Sequence, residues 1–472
     1  MTIKIDQLSV AEMPKRTHSF WRMAGPGAVL VGLSIGAGEI VIWPRIMAQY
    51  GATMAWAAML GVFLQLWINL EIGRWTISTG ETPFTGFARI WRGFAPVFLI
   101  LTMLGWLVPG WARASGLALK ALMVGPGGYG SDTFWTVITF AAAAVILFGP
   151  KIVYQSVERS VEFLVVIVTV GLISLVIAVS SVAVWQDLGL GIVSIGKTHP
   201  DISVKTLFSA LVFAGAGGTA NLFYSFYLRD KNIGMGARIP RMTNPLRGRS
   251  EAAPSSGFRF KETEENISRF SAWWSYVKKD QIIFFWFLNT FTIVLFMFGA
   301  LAVLTPRGIV PAAGTLIWDE AVVLGEVWGE SGKIIFLLVG VATLFGTQLV
   351  LLDGVSRTFA DIIYTNVRSA QKREVSWWYL TVCLGWIVAG CVITYVMENR
   401  GVTDLGFLFN AGYMGGFAMA IYVPLTLYMN YRYLPKSVRP GVFSTIMMII
   451  ASAVYIGFAI SSIRWEISAW IG

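Results

Sequence analysis

Apolar runs long enough to cross a bilayer recur along almost the whole chain, separated by shorter polar segments. A spanning helix needs about twenty largely apolar residues, and the pattern offers about eleven such stretches. They lie near residues 24–48, 54–78, 94–122, 133–150, 158–184, 204–228, 281–304, 332–364, 377–397, 404–430 and 442–463. The pattern therefore predicts an all-α integral membrane protein, and we number these stretches spans 1 to 11.

Composition supports a membrane protein over a soluble one. Hydrophobic residues make up 56% of the 472 positions and charged residues 13%, whereas roughly a quarter of an ordinary soluble domain is charged. The net charge of +10 would suggest nucleic acid as a partner of a soluble protein. In a membrane protein it indicates basic loops on one side of the bilayer, so we expect the lipid bilayer, and no nucleic acid, as a partner.

The basic loops predict an orientation. Clusters of Lys and Arg precede span 1 and follow spans 2, 8 and 10, and a lysine follows span 4, so these segments share one side if span 1 starts inside. The residues are Lys15, Arg16, Arg22, Arg74, Arg89, Arg92, Lys151, Arg368, Lys372, Arg373, Arg432, Lys436 and Arg439. We expect a plasma-membrane protein, of the bacterial inner-membrane type, with a cytoplasmic N-terminus and an external C-terminus.

One long polar stretch, residues 229–280, interrupts the series of spans. It is rich in arginine and contains three prolines. We expect a partly disordered cytoplasmic loop that rests on anionic lipid headgroups, with a regulatory or partner-binding role as the alternative. Trp273, Trp274 and Tyr276 at its end predict an interfacial aromatic anchor before span 7.

The sequence carries little that would support an enzyme or a resident cofactor. Cys383 and Cys391 lie in one apolar run, which predicts small packing residues rather than a disulfide or a zinc site. His18 and His199 both lie outside the apolar segments. There is no phosphate-binding loop and no set of nucleophile, base and acid. The N-terminal segment 1–23 lacks the apolar core of a signal peptide, so we expect it to remain as a cytoplasmic segment.

Two spans contain glycine clusters that predict broken helices. Span 1 reads Gly-Leu-Ser-Ile-Gly-Ala-Gly-Glu over residues 32–39, and span 6 reads Ala-Gly-Ala-Gly-Gly-Thr-Ala-Asn over residues 214–221. Close helix packing through small residues is one explanation. The other is a pair of discontinuous helices whose freed backbone groups line a site near the middle of the membrane. We favour the second, because the breaks fall at corresponding places five spans apart.

Glu39 is the charged residue at the predicted break of span 1. A carboxylate at membrane depth is costly and is a functional hypothesis by default. It would bind a cation, carry a proton or pair with an amide, and the structural alternative is a hydrogen bond to the backbone of span 6. The pairs Glu71–Arg74 and Asp353–Arg357 are expected to be intrahelical ion pairs. Intramembrane amides occur at Asn289, Gln348 and Asn410.

At these two breaks the chain resembles the Nramp family of divalent-metal transporters. Residues 25–27, Gly-Pro-Gly, open span 1 as in that family; residues 34–39 fall at its Asp-Pro-Gly-Asn motif, and residues 221–225 follow its Met-Pro-His motif. The resemblance implies a LeuT-type fold with a 5+5 inverted repeat plus one helix. Its halves would be residues 24–184 (spans 1–5) and 204–430 (spans 6–10, with loop 229–280), followed by span 11 at 442–463.

The chain departs from the family at the metal ligands themselves. The family's aspartate corresponds to Gly36 and its asparagine to Glu39. Its methionine, proline and histidine correspond to the run Gly218, Thr219 and Ala220, and its carbonyl ligands correspond to Leu33 and Gly215. Without the methionine sulfur, hard ions such as Mg²⁺ or Ca²⁺ are easier to accommodate than Mn²⁺ or Fe²⁺.

The resemblance and the residues together predict a secondary transporter of a small cation, with a divalent ion bound as substrate and no cofactor. The alternatives are a carrier of a small amino-acid-like solute that has lost the metal site, and a receptor that has lost transport. The predicted substrate site comprises Leu33, Gly36, Ala37, Glu39, Gly215, Gly218, Thr219, Ala220, Asn221 and Asn410. Glu39 is its expected metal ligand.

Overall fold

The computed structural model describes residues 7–36, 38–244, 246–247, 254, 256–310, 316–402 and 404–471. Within these residues, nine helices are long and apolar enough to cross a membrane. The helix Asp132–Phe148 is shorter, and span 6 is divided into two short helices. Together these elements account for the eleven predicted spans, although the nine long helices alone do not.

The helices follow the predicted order with shifted ends. Their bounds are Pro26–Ser34 and Trp43–Tyr50 (span 1), Ala55–Thr79 (span 2), Phe94–Trp106 and Gly110–Val124 (span 3), Asp132–Phe148 (span 4), Val153–Val179 (span 5), Val204–Val212 and Tyr224–Asp230 (span 6), Glu264–Asp280 and Asn289–Val303 (span 7), Leu316–Asn366 (span 8), Val375–Asn399 (span 9), Asp404–Tyr433 (span 10) and Val442–Ile471 (span 11).

Short elements connect and extend the spans. One pair of parallel strands joins the N-terminal segment to the long loop, at Ser9–Val10 and Phe258–Arg259. Turns of π-helix complete spans 1 and 7 at Gly38–Ile42 and Gln281–Leu288. The remaining helical elements are Phe20–Met23, Ala52–Met54, Pro83–Ile90, Val182–Val193, Gly218–Phe223, Gly234–Arg238, Thr305–Arg307, Ala370–Lys372 and Lys436–Val438.

Span 1 lies at the centre of the bundle. Every residue of its first helix, Pro26–Ser34, is buried. Span 8 packs against spans 1, 3, 5 and 9, and span 10 packs against spans 6 and 11. A helix that is apolar all round and buried all round has no lipid-facing side, so the break in span 1 is surrounded by protein.

Two long helices depart from the predicted continuous spans. Span 3 is interrupted at Pro109, which cannot donate the helical hydrogen bond. Span 8 begins as a separate segment, because Trp328 and Gly329 have non-helical backbone angles within Leu316–Asn366. Residues 316–327 therefore form a helical segment that a kink separates from the rest of span 8.

The prediction of a loop at 229–280 was wrong at both ends of the stretch. The stretch begins in the second helix of span 6 and ends in the seventeen-residue helix Glu264–Asp280, which runs on into span 7. Trp273 and Tyr276 are buried within the protein. The Trp273 indole donates to the Pro14 carbonyl (2.7 Å), and the Tyr276 hydroxyl donates to the Met23 carbonyl (2.8 Å). This region holds the N-terminal segment against the bundle.

Candidate functional site

Span 1 stops being helical where the glycine cluster predicts. The first helix ends at Ser34, and the chain resumes as a π-helical turn at Gly38–Ile42. Between them, the Gly36 amide donates to the Ser34 carbonyl and the Glu39 amide donates to the Gly36 carbonyl. Leu33 and Gly36 are buried at this break, and Ala37 lies outside the described residues.

Span 6 is interrupted over a longer stretch. Its first helix ends at Val212, and Gly217 and Gly218 have φ values of 67° and 53°. Those angles lie in the left-handed region, which glycine adopts without steric cost. A 3₁₀ turn, Gly218–Phe223, then leads into the second helix. The break exposes backbone groups that need partners from elsewhere in the bundle.

Side-chain amides of neighbouring spans supply those partners. Gln65 of span 2 accepts a hydrogen bond from the Gly217 amide (3.0 Å) and donates one to the Val212 carbonyl (2.8 Å). Asn289 of span 7 donates to the Ala214 carbonyl (2.8 Å). The two amides thus replace hydrogen bonds that a continuous helix would make, and the site role of Gln65 was not predicted from the sequence.

The glycines at the two breaks allow backbones and side chains to approach closely. A Cβ on Gly38 would lie 2.1 Å from the Phe213 carbonyl oxygen, and one on Gly36 would lie 2.2 Å from the Thr347 hydroxyl oxygen. A Cβ on Gly215 would lie 2.4 Å from Gln65 Oε1. The glycines therefore serve both close packing and the interruption of the two helices, which were alternative explanations of the sequence pattern. The roomy centre that a solute carrier would need is not present at these three glycines.

Glu39 sits at the junction of the two breaks. Its side chain is 0% exposed, and neither carboxylate oxygen has a hydrogen-bond partner among the described residues. The carboxylate is therefore not bonded to the backbone of span 6, which was the structural alternative. The Thr292 hydroxyl of span 7 lies near it but donates to the Leu288 and Asn289 carbonyls of its own helix (3.1 and 3.2 Å). Asn289 lies three residues earlier on the same helix face, and its Oδ1 also lacks a donor.

The other predicted residues of span 6 lie toward spans 3 and 10. The Thr219 hydroxyl accepts from the Trp106 indole (3.1 Å) and from Thr102 (3.4 Å). Asn221 donates to the Tyr422 hydroxyl (3.2 Å). Ala220 is wholly buried beside them. The structure thus separates this group, held by hydrogen bonds, from the unpaired Glu39.

Of the predicted residues Gly218 and Asn410, the first is packed at the centre of the bundle and the second is not. Gly218 packs against span 10, because a Cβ there would lie 3.0 Å from the Gly415 Cα. Asn410, also on span 10, is exposed and does not lie among the buried residues of the site.

Two further buried amides, Asn69 and Gln348, have no hydrogen-bond partner among the described residues. Asn69 follows Gln65 by one helical turn. In the sequence it is marked only as a single amide within an apolar run.

The groups identified near Glu39, the Thr292 hydroxyl and the Asn289 amide, both carry oxygen donors. Among the described residues there is no group of three or more His, Cys, Asp or Glu side chains that would hold a metal ion. An ion would therefore rely on the Glu39 carboxylate together with neutral oxygens, such as the Thr292 hydroxyl and Asn289 Oδ1. Hydroxyl, amide and carbonyl oxygens are the ligands that hard cations prefer.

Comparison with solved structures identifies the fold. Three variants of the manganese transporter of Eremococcus coleocola match with a TM-score of 0.71 and 16% identity, covering 98% of this chain and 91% of that one. A nucleobase-cation-symport-1 family transporter in a closed conformation matches with a TM-score of 0.53 and 14% identity, covering 94% and 92%. Neither protein-family models nor curated protein sequences give a match. The chain is a multi-pass membrane protein that shares the fold of these transporters, which is the LeuT-type fold that its resemblance to the Nramp family implies.

Proposed function

We propose that this protein is a membrane transporter that moves a small cation by alternating access. The observation that carries the proposal is Glu39, which is fully buried and unpaired at the junction of two interrupted helices. Interrupted helices at the membrane midplane are the usual place for substrate and ion sites in such folds. The structures that share this fold include one described as a manganese transporter.

Electrostatics favours a cation at Glu39. Burying an ionised carboxylate without a partner is costly, and the group either stays protonated or gains a positive charge beside it. A bound cation would relieve that cost, with the Thr292 hydroxyl and Asn289 Oδ1 as neutral ligands. The backbone carbonyls of Leu33 and Gly215 are further proposed ligands, supplied by the two breaks.

The ligand types favour a hard divalent ion, of the Mg²⁺ or Ca²⁺ kind. Gly218 occupies the position that a methionine holds in the Nramp motif, so no thioether comes from that position. The sulfur atoms that would prefer softer metals are therefore missing from the proposed ligand set. In our proposal, Thr219 and Asn221 tie span 6 to spans 3 and 10 and move with it during the transport cycle.

Uptake into proteoliposomes tests the proposal. We expect the wild type to accumulate labelled Mg²⁺ or Ca²⁺, and we expect Glu39→Gln to reduce uptake at least tenfold because the amide removes the only charged ligand. Glu326→Gln is the matched control, since that carboxylate is 63% exposed on the helical segment 316–327. Absence of uptake of Mg²⁺, Ca²⁺ and Mn²⁺ by the wild type would contradict a divalent cation carrier.

One observation favours a second candidate, a carrier of a small amine-bearing solute such as an amino acid. Glu39 is a single carboxylate, and one negative charge balances one ammonium group more simply than it balances a divalent ion. We expect such a solute to raise the thermal stability of the purified protein, and Glu39→Gln to abolish that shift. A panel of amino acids and amines that leaves the melting temperature unchanged would count against it.

A further inference from the structure

A cavity of about 370 Å³ lies between the N-terminal segment, the start of span 5 and the chain that follows span 6. We call it the basic cavity. Four of the described residues that line it are cationic, namely Lys15 and Arg22 of the N-terminal segment and Lys231 and Arg241 after span 6. Glu39 does not line it, and its volume falls within the range of roughly 300–1,000 Å³ that is typical of small-molecule sites.

The two carboxylates in the wall of the basic cavity have partners of their own. Glu158 accepts hydrogen bonds from Lys231 Nζ (2.6 Å) and from the Tyr154 hydroxyl (2.9 Å). Asp230 pairs with Arg357 of span 8 (2.6 Å). Each carboxylate is thus neutralised by a cation that is not one of the remaining three in the wall.

The remaining cations are Lys15, Arg22 and Arg241. None of them forms an ion pair with a carboxylate of the described residues. Arg241 is half-buried, and its Nε donates to Asn232 Oδ1 (3.3 Å), which holds the guanidinium in the wall. Like charges that share one cavity repel each other and raise the local concentration of anions.

The chemistry of the wall restricts the ligand to an anion. A metal ion or an amine would be repelled, and a neutral solute would leave the three cations without a counter-charge. A phosphate group offers several oxygens to cations that approach from different sides, and arginine binds it through two parallel hydrogen bonds. Thr17 and Gln155 add neutral hydrogen-bond donors to the wall.

We propose that the basic cavity binds a phosphate-bearing anion, whose oxygens pair with Lys15 and Arg22 on one side and with Arg241 on the other. The phosphate belongs either to an anionic lipid headgroup or to a soluble phosphate compound. Such a ligand joins the N-terminal segment to the chain that follows span 6. It therefore adds to the hydrogen bonds by which Trp273 and Tyr276 hold this segment against the bundle.

The experiment measures binding of labelled inorganic phosphate to the delipidated full-length protein in maltoside micelles by equilibrium dialysis. Chloride keeps the ionic strength constant, and protein-free micelles are the blank. We expect saturable binding by the wild type and roughly tenfold weaker binding by Arg22→Gln and by Arg241→Gln, since each loses a charged hydrogen-bond donor. Arg241→Lys keeps the charge and should bind more tightly than Arg241→Gln.

Arg259→Gln is the matched control. Arg259 is exposed at the end of the strand Phe258–Arg259 and does not line the basic cavity, so its loss removes the same charge outside the site and should leave phosphate binding unchanged. Glu39→Gln should bind phosphate as the wild type does, which separates this test from that of the transport site.

Two competitors that differ in their acyl chains distinguish the sources of the ligand. If dihexanoylphosphatidylglycerol displaces the labelled phosphate at a lower concentration than glycerol 3-phosphate does, the occupant is an anionic lipid. If glycerol 3-phosphate is equally or more effective, the occupant is a soluble phosphate compound, and both results support the site. Three results would overturn it: no saturable binding above the blank, equal affinity in the wild type, Arg22→Gln and Arg241→Gln, or no displacement by either competitor.

Discussion

Gly36 and Glu39, three positions apart at the break of span 1, contribute to the site in opposite ways. Gly36 is where the backbone must approach Thr347 of span 8, and Glu39 is where a carboxylate is left without a partner. Gly36 contributes by having no side chain. Glu39 contributes a carboxylate whose burial without a partner costs free energy. Neither a glycine nor an unpaired carboxylate stabilises a buried helix, which is why we interpret the two residues together.

Substituting Gly36 tests the close approach. Gly36→Ala would place a Cβ 2.2 Å from the Thr347 hydroxyl oxygen and 2.6 Å from the Leu33 carbonyl oxygen. Overpacking of this kind costs about 1–3 kcal/mol, so we expect a lower melting temperature and reduced uptake. Gly385→Ala in span 9 is the control, because a Cβ there meets nothing within 4 Å and should stabilise the helix. Equal melting temperatures for the two variants would contradict the packing shown here.

At the scale of elements, the break in span 6 depends on residues of other helices. The glycine run at 214–221 predicted the interruption from the sequence alone. The partners of its backbone did not follow from the sequence, because Gln65 and Asn289 are single amides within apolar runs of spans 2 and 7. Only tertiary packing brings them to the Gly217 amide and the Ala214 carbonyl.

Helix phase explains why the prediction for Asn410 was not supported by its position. Gly415 faces Gly218 at the centre of the bundle. Asn410 precedes Gly415 by five residues, which at 3.6 residues per turn places it about 140° away around the helix. Apolar residues occur on all sides of this helix, so the sequence pattern does not show which side faces the centre of the bundle. The inward face could therefore not be predicted.

The two amides of span 2 offer a matched test of this arrangement. Gln65→Leu removes the hydrogen bonds to the Gly217 amide and to the Val212 and Leu211 carbonyls of span 6. Each buried backbone group left unsatisfied costs about 1–3 kcal/mol. Asn69→Leu, one turn further along, removes an amide that has no partner among the described residues. We expect a clear fall in melting temperature for Gln65→Leu and little or no fall for Asn69→Leu. A similar loss in both variants would show that the span 6 contacts are not the cause.

At the scale of the whole molecule, one face of the bundle is closed by buried ion pairs and by the N-terminal segment. Arg357 of span 8 contacts Asp230 of span 6 (2.6 Å) and Asp353 of its own helix (2.8 Å). The intrahelical pairs Asp353–Arg357 and Glu71–Arg74 (2.9 Å) are confirmed. The contact to Asp230 was not predicted, because the two residues are separated by 127 positions in sequence. Sequence order thus predicted the helices, while the contacts that close this face came from long-range packing.

Replacing Arg357 tests that closure. Arg357→Gln would leave two carboxylates buried without their cation, and breaking such a pair typically costs about 3–5 kcal/mol. We expect a strong loss of thermal stability and of folded protein in the membrane. Arg373→Gln, an exposed arginine after the same helix, should change the melting temperature little. An unchanged melting temperature for Arg357→Gln would show that the network does not hold the bundle together.

The central claim is that Glu39 is the charged ligand of a cation site at the junction of the two helix breaks. Isothermal titration calorimetry of the purified full-length protein with Mg²⁺, Ca²⁺ and Mn²⁺ tests it most directly, using wild type, Glu39→Gln and the exposed control Glu326→Gln. We predict saturable heat from Mg²⁺ or Ca²⁺ in the wild type and the control. We predict no such heat in Glu39→Gln, whose ion-free melting temperature should equal or exceed that of the wild type, since a buried charge is removed. No heat from any of the three ions in the wild type, or equal heat in Glu39→Gln, would contradict the claim.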